Sequence, residues 1–165
     1  MKPIEEIIGD KILDMLNYAL SKMIKPDITI DKVTELGENQ IKELIQHYGI
    51  EGIILDVDET LRKNMKEIPK ANQEWIEKVR DQIKIIILSN GIDKKMKEYF
   101  KQRGITYISF AQKPLKKSFL KACKEMNVQP DKVLVIGDNL FDDVYGGKRN
   151  KMRTALVKEV EDEER

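Results

Sequence analysis

The sequence predicts an α/β fold, a three-layer sandwich on one parallel sheet, with a helical extension ahead of it. Three observations carry this expectation. Short β-branched runs, apolar on both faces, recur from residue 53 onward. A helix-compatible stretch follows each run except the last. Residues 4–24 instead space their apolar side chains by three and four, the period of an amphipathic helix.

In chain order, that first helix carries Ile4, Ile7, Ile8, Ile12, Met15, Leu16, Ala19, Leu20, Met23 and Ile24, and ends at Pro26 and the Thr29–Asp31 stretch. A second helix fits Glu38–Tyr48, with Gly49 as its stop. The expected strands are Ile53–Val57, Ile83–Leu88, Ile105–Phe110, Val133–Ile136 and Thr154–Val157. The expected helices between them are Pro69–Asp81, Asp93–Arg103, Pro114–Asn127 and Asn139–Asn150. Alternation of this kind implies right-handed crossovers, with a ligand beyond the carboxyl ends of the strands. The expected division is a helical extension over 1–50 packing on a core over 51–158, then a charged, solvated tail over 159–165.

Composition narrows the function. A formal net charge of +1 gives no bulk field toward nucleic acid or an acidic membrane, so no nucleic-acid partner is expected. The single cysteine, Cys123, excludes an internal disulfide, suits a reducing cytosol and reads as an inert core thiol. No apolar run approaches the roughly 20 residues of a membrane span, and the acidic opening Met-Lys-Pro-Ile-Glu-Glu is unlike an export signal. A cytoplasmic location follows as an expectation, with peripheral membrane contact through the first helix left open. That helix has a mixed polar face (Lys2, Glu5, Glu6, Asp10, Lys11, Asp14), whereas interfacial helices are usually basic there. Packing against the domain or a second subunit is the favoured expectation.

Chemistry gathers at the strand ends. The first core strand ends Asp56-Val57-Asp58-Glu59-Thr60. Two carboxylates converging on one pocket repel unless a cation lies between them, and Mg²⁺ is a hard ion that takes such oxygens. The second ends Ser89-Asn90-Gly91, where a hydroxyl and backbone N–H groups can donate to a phosphoryl oxygen and Gly91 permits close approach or positive φ. The third leads to Lys113-Pro114, with Pro114 read as the first residue of a helix and Lys113 as a counter-charge for phosphate. The fourth ends Gly137-Asp138, and Asp142 and Asp143 follow near a helix start. Each motif alone has a bland reading as a turn, cap or solvated lysine. Four successive strand ends explained by one pocket do not. His47, the only histidine, lies on a helix ahead of the sheet and reads as a surface residue.

Asp-x-Asp-x-Thr, then Ser, then Lys, then Gly-Asp with a further Asp, in this order, resembles the haloacid-dehalogenase superfamily. The segments Met23-Ile24-Lys25-Pro26-Asp27, Gly52–Leu61, Ala111-Gln112-Lys113-Pro114 and Ile136–Gly147 look closer still to its YqeG-like subgroup, which includes phosphatidylglycerophosphate phosphatases. Two positions depart from that subgroup. Glu59 stands where Asn is usual, and Arg62-Lys63 where an apolar pair is common.

The resemblance implies a capless Rossmann-like sandwich and phosphomonoester hydrolysis through an aspartyl-phosphate. Asp56 would be the nucleophile and Asp58 the acid/base. Asp56, the Asp58 main-chain carbonyl and Asp138 would hold Mg²⁺. Ser89, Asn90 and Lys113 would bind substrate, with Asp143, Asp142 and Thr60 in support. An open, lidless pocket suits a phosphate on a large molecule, such as a lipid headgroup. A receiver-like phosphoacceptor domain is the rival from another class. It needs its acceptor Asp after the third strand, where this chain has Ser109-Phe110-Ala111-Gln112. A silent phosphate-binding domain is the second rival, and it would have no use for the acid/base at Asp58.

Overall fold

The computed structural model describes residues 2–162, without the side chains of Asn17, Leu20 and Ser21. Leu20 of the first helix and tail residues 163–165 therefore lie outside the described residues.

Helix α1 (Ile4–Met23) and strand β1 (Ile28–Ile30) open the chain, and a 3₁₀ turn (Val33–Glu35) leads into α2 (Glu38–Tyr48). The core then runs β2 (Gly52–Leu55), α3 (Lys70–Arg80), β3 (Lys84–Leu88), α4 (Lys94–Gln102), β4 (Thr106–Ile108), α5 (Lys116–Met126) and β5 (Val133–Gly137). A π-helical segment (Leu140–Tyr145), α6 (Gly146–Arg149) and β6 (Arg153–Val157) complete it. The six strands form one sheet in the order β1-β6-β5-β2-β3-β4, and every pairing is parallel.

Alternation along the central strand builds the layers. Ile53 and Leu55 of β2 face a cluster with Ile41 and Leu44 of α2, Trp75 and Ile76 of α3 and Phe100 of α4. Ile54 faces the opposite cluster, with Phe119, Ala122 and Cys123 of α5. Burying each such isoleucine contributes about 1.5–3 kcal/mol. Gly147 lets α6 lie close on this second face, because a Cβ there would come within 2.7 Å of the Thr154 methyl. Cys123 is buried, as expected of a core thiol, and burial pushes its pKa up.

Strand β1 is the main surprise. The stretch read as the end of a helix pairs with β6, Ile28 opposite Ala155 through Ile30 opposite Val157. A three-residue edge strand with one fully buried side chain has almost no period to detect. The boundary expected at residue 50 thus falls inside the sheet domain. The tail is also less solvated than expected: Lys158 and Glu159 donate backbone N–H groups to Ile30 and Asp31, and Glu161 accepts from the Thr34 hydroxyl and pairs with Lys32.

Helix α1 has the expected bounds to within a residue, but its apolar residues Ile8, Ile12, Met15 and Leu16 stay exposed. Helices α2–α6 already cover both sheet faces, and α1 contacts the domain at the Leu140–Tyr145 segment. No helix among the described residues is long and apolar enough to cross a membrane. Only loop 56–69 separates β2 from α3, and only 109–115 separates β4 from α5, so neither place holds a cap domain.

Asp27 ties β1 to the sheet. Its Oδ2 accepts from the Thr154 backbone N–H at 2.8 Å, and Oδ1 pairs with Lys148 at 2.7 Å. Partial burial raises the Asp27 pKa, but the Lys148 and Thr154 contacts outweigh it and leave the value below 3.8. A depressed folded value means that its stabilisation is present above the unfolded pKa and is lost as pH falls through the folded one. Asp27→Ala should lower stability in urea titrations by about 1–2 kcal/mol at neutral pH. The gap to wild type should close in acid.

Candidate active site

The sheet order reverses direction at β2. From there the chain builds outward through β3 and β4, then returns to β5 on the other side. Ligands of open parallel sheets sit at such a reversal, beyond the carboxyl ends of the strands. One further pairing, the Asp56 N–H to the Ile136 carbonyl at 3.0 Å, extends β2 alongside β5 and sets Asp56 beside Asp138.

Lys113 organises the centre. Its buried Nζ lies 2.9 Å from Asp56 Oδ1 and 2.6 Å from Asp143 Oδ1. Burial pulls the ammonium pKa down, but the Asp143 and Asp56 charges outweigh it and hold the value well above normal. The buried Thr60 hydroxyl lies 3.0 Å from Asp56 Oδ2 and 3.1 Å from Asp138 Oδ1, with one proton to give. Asp143 is fixed at both oxygens, since its Oδ2 accepts from the Asn139 N–H at 3.1 Å. Gly137 makes room for it: a Cβ at 137 would overlap the Asp143 carboxylate.

Asp56, Asp138 and Asp143 each offer an oxygen within 4.8 Å of the others, a grouping that can hold a metal ion. Burial, then the charges of Asp56 and Asp143, push the Asp138 pKa up. Burial does the same to Asp143 against the pull of Lys113. Two buried carboxyl groups on one ammonium, with the half-buried Asp138 beside them, hold more negative charge than it neutralises, and a hard divalent cation fits that surplus.

Two expected details change. The side chains of Asp56 and Asp58 do not form the cation pair, because Asp58 Oδ1 accepts from Arg62 Nε at 2.8 Å. Arg62 is buried, and its Nη2 also donates to Asp93 Oδ2 at 2.9 Å. Its guanidinium thus supplies a counter-charge to the Asp58 side chain, as Lys113 does to Asp56 and Asp143. Sequence reasoning registered Arg62 only as a departure from its subgroup. Its four-residue spacing from Asp58 was the one available signal. Asp93 caps α4 through the Lys95 and Met96 N–H groups, and the Met96 N–H and Arg62 hold its pKa below normal.

The second change concerns the turn after Ser89. Gly91 does not adopt positive φ, and a Cβ there would meet Asp58 and Ser89 oxygens only at 3.7 Å. Its N–H donates to the buried Ser89 Oγ at 3.2 Å. Asn90, expected to bind substrate, also braces the loops. Its Oδ1 accepts from the Lys113 N–H at 2.7 Å, and its Nδ2 donates to Asp142 Oδ2 at 3.2 Å. Burial raises the Asp142 pKa. Pro114 follows a cis peptide and precedes the helix, which starts at Lys116 after an extended Leu115. Glu59 occupies a left-handed position at φ 58°, a conformation Asn tolerates better, and its Oε1 accepts from the Asn64 N–H. His47 is exposed.

The chain is similar to known proteins. A curated relative from Bacillus subtilis (strain 168), named probable phosphatase YqeG, is 34% identical over 142 residues, spanning 84% of this chain and 79% of the relative. A glyceraldehyde 3-phosphate phosphatase of Pyrococcus furiosus is 23% identical, over 85% of this chain and 70% of its own. Among solved structures, an uncharacterized protein of Listeria monocytogenes serotype 4b superposes with a TM-score of 0.56 at 19% identity, covering 70% of this chain and 84% of that one. That last likeness bears on the fold alone. The family model for haloacid dehalogenase-like hydrolases matches residues 29–150, a span that includes all four strand-end motifs and all but the first residue of β1. The chain belongs to the haloacid dehalogenase-like hydrolases.

Proposed function

We propose that the protein is a Mg²⁺-dependent phosphomonoester hydrolase that works through an aspartyl-phosphate at Asp56. The observation that carries this reading is the Asp56 carboxylate at the tip of the central strand, held on one oxygen by Lys113 and on the other by Thr60. A carboxylate so fixed is oriented for in-line attack on phosphorus. The names of the Bacillus and Pyrococcus relatives support phosphatase chemistry.

Asp56 Oδ attacks phosphorus as the bond to the leaving oxygen breaks, and Asp58 protonates that oxygen. Asp58 then takes a proton from water, which hydrolyses the acyl phosphate and frees Asp56. Ser89 and Lys113 donate to the phosphoryl oxygens, where charge is spread in the transition state. Asp143 keeps the Lys113 ammonium charged and aimed. Asp56, Asp138 and the Asp58 main-chain carbonyl would hold Mg²⁺. Bound there, the ion screens the repulsion between the acidic site and an anionic substrate. Arg62 fixes the Asp58 carboxylate from the side away from solvent.

The lidless strand ends support a phosphate carried by a large molecule. Phosphatidylglycerophosphate is the substrate implied by the YqeG-like resemblance. A screen of phosphorylated lipids against small phosphate esters, glyceraldehyde 3-phosphate included, decides between a lipid and a metabolite.

Three outcomes test the reading. Hydrolysis of p-nitrophenyl phosphate should require Mg²⁺ and stop in EDTA. Asp56→Asn should lower kcat by about a thousandfold or more with the circular dichroism spectrum unchanged, and full activity in this variant would identify a different nucleophile. Arg62→Met should lower kcat roughly ten- to hundredfold with KM little changed. Arg62→Lys should recover only part of the loss, because one ammonium cannot reproduce the fork to Asp58 and Asp93.

The metal has a readout apart from turnover. Because the folded pKa of Asp138 is raised above 3.8, the metal-free fold should lose stability as pH rises through the raised value. Saturating Mg²⁺ above neutral pH should restore about 2–3 kcal/mol at a hundredfold excess over Kd, seen as a higher melting temperature. Asp138→Asn should raise the melting temperature without metal and abolish the Mg²⁺ increment. An equal Mg²⁺ response in variant and wild type would rule Asp138 out as a ligand.

A further inference from the structure

We propose that the collar of loops around the phosphate pocket is a docking surface for an anionic lipid bilayer. The choice of face rests on the phosphatase reading above, since it is the face through which the pocket opens.

Large apolar side chains stand exposed just beyond every one of the four strand ends. Met65 follows the Asp56–Thr60 loop, Ile92 follows Ser89-Asn90-Gly91, Phe110 and Leu115 flank Lys113, and Phe141 follows Gly137-Asp138. Direct contacts join these loops into one rim. The Phe110 N–H donates to the Gly91 carbonyl at 3.1 Å, and Arg62 reaches both Met65 Sδ, at 3.6 Å, and Asp93, next to Ile92. Asn90 holds Asp142, next to Phe141. A soluble domain seldom rings one opening with exposed apolar groups unless something covers them.

Backbone conformation sharpens the point. Met65 and Phe110 are 65% and 64% exposed, and both occupy left-handed positions, at φ 58° and 52°. Asn or Gly would relieve the backbone and remove apolar surface from water at the same time. Positions that break a local rule twice over while most of the side chain stays in water point to function.

Charge specifies the partner. Right-handed crossovers bring the N-termini of α3, α4 and α5 to this same face. Helix starts favour acids, yet none of the three has an acid in its first turn. They carry Lys70, Lys94, Lys95, Lys116 and Lys117 instead, all exposed. An apolar rim backed by lysines matches the interfacial region of a bilayer with anionic headgroups. Nucleic acid fits less well, because three of the five rim residues are not aromatic and cannot stack on bases.

Vesicle co-sedimentation of the full chain tests the proposal, with vesicles of phosphatidylcholine alone and of phosphatidylcholine mixed with phosphatidylglycerol. The wild type should bind the mixed vesicles about tenfold more strongly, and added NaCl should weaken that binding. Met65→Asn/Phe110→Asn should reduce mixed-vesicle binding by about tenfold while its melting temperature stays equal or rises. Its hydrolysis of p-nitrophenyl phosphate without vesicles should match wild type. Equal vesicle binding by variant and wild type would overturn the proposal. So would absence of binding to the mixed vesicles, or capture of a single-stranded oligonucleotide in place of vesicles. Vesicle binding without phosphatase turnover would support the docking surface and sink the hydrolase reading.

Discussion

A buried ammonium shared between two carboxylates is the contact on which the site depends. Lys113 comes from the loop after β4, Asp56 from the tip of β2 and Asp143 from the segment after β5. Each of these groups would be costly to bury alone, and each becomes tolerable only with the others in place. Much of the surrounding sequence serves that grouping. Gly137 leaves room for the Asp143 carboxylate, the Asn139 N–H occupies its second oxygen, and Asn90 fixes the Lys113 backbone. The sheet order brings the three loops to one place, and the covalent chain alone would not.

A second cation, Arg62, serves the other half of the site. It joins Asp58 to Asp93, and so links the loop after β2 to the start of α4. The two buried cations divide the acids between them. Lys113 takes Asp56 and Asp143, Arg62 takes Asp58 and Asp93, and Asp138 has no basic partner among the described residues. That residual charge is where the case for a metal is strongest. The bare Asp-x-Asp motif gives no sign of Arg62: a strand pattern shows which residues share a face but not which cation a side chain turns toward.

Helices α2 to α5 and the central strands were legible because they carry a strong period or an unbroken apolar run between clear stops. Gly49 and Asn127 end α2 and α5 in left-handed conformations, and Asp93 caps α4. What escaped detection has weak or non-local causes. Strand β1 is three residues long and exists because β6 offers it an edge. The π-helical turn at Leu140–Tyr145 is capped by Asn139, whose side chain accepts the Phe141 and Asp142 N–H groups, and an acid-rich stretch after a strand does not reveal it. The bracing role of Asn90 depends on partners 23 and 52 residues away, beyond any local window.

That same amide bears on how the site meets its substrate. One side chain fastens together loops that arise from β3, β4 and β5, and it does so before any phosphate arrives. The conformational entropy of these loops is lost once, when the chain folds, and not again at each encounter. Here the polar frame stands assembled in advance, so a ligand entering it would meet loops that are already ordered.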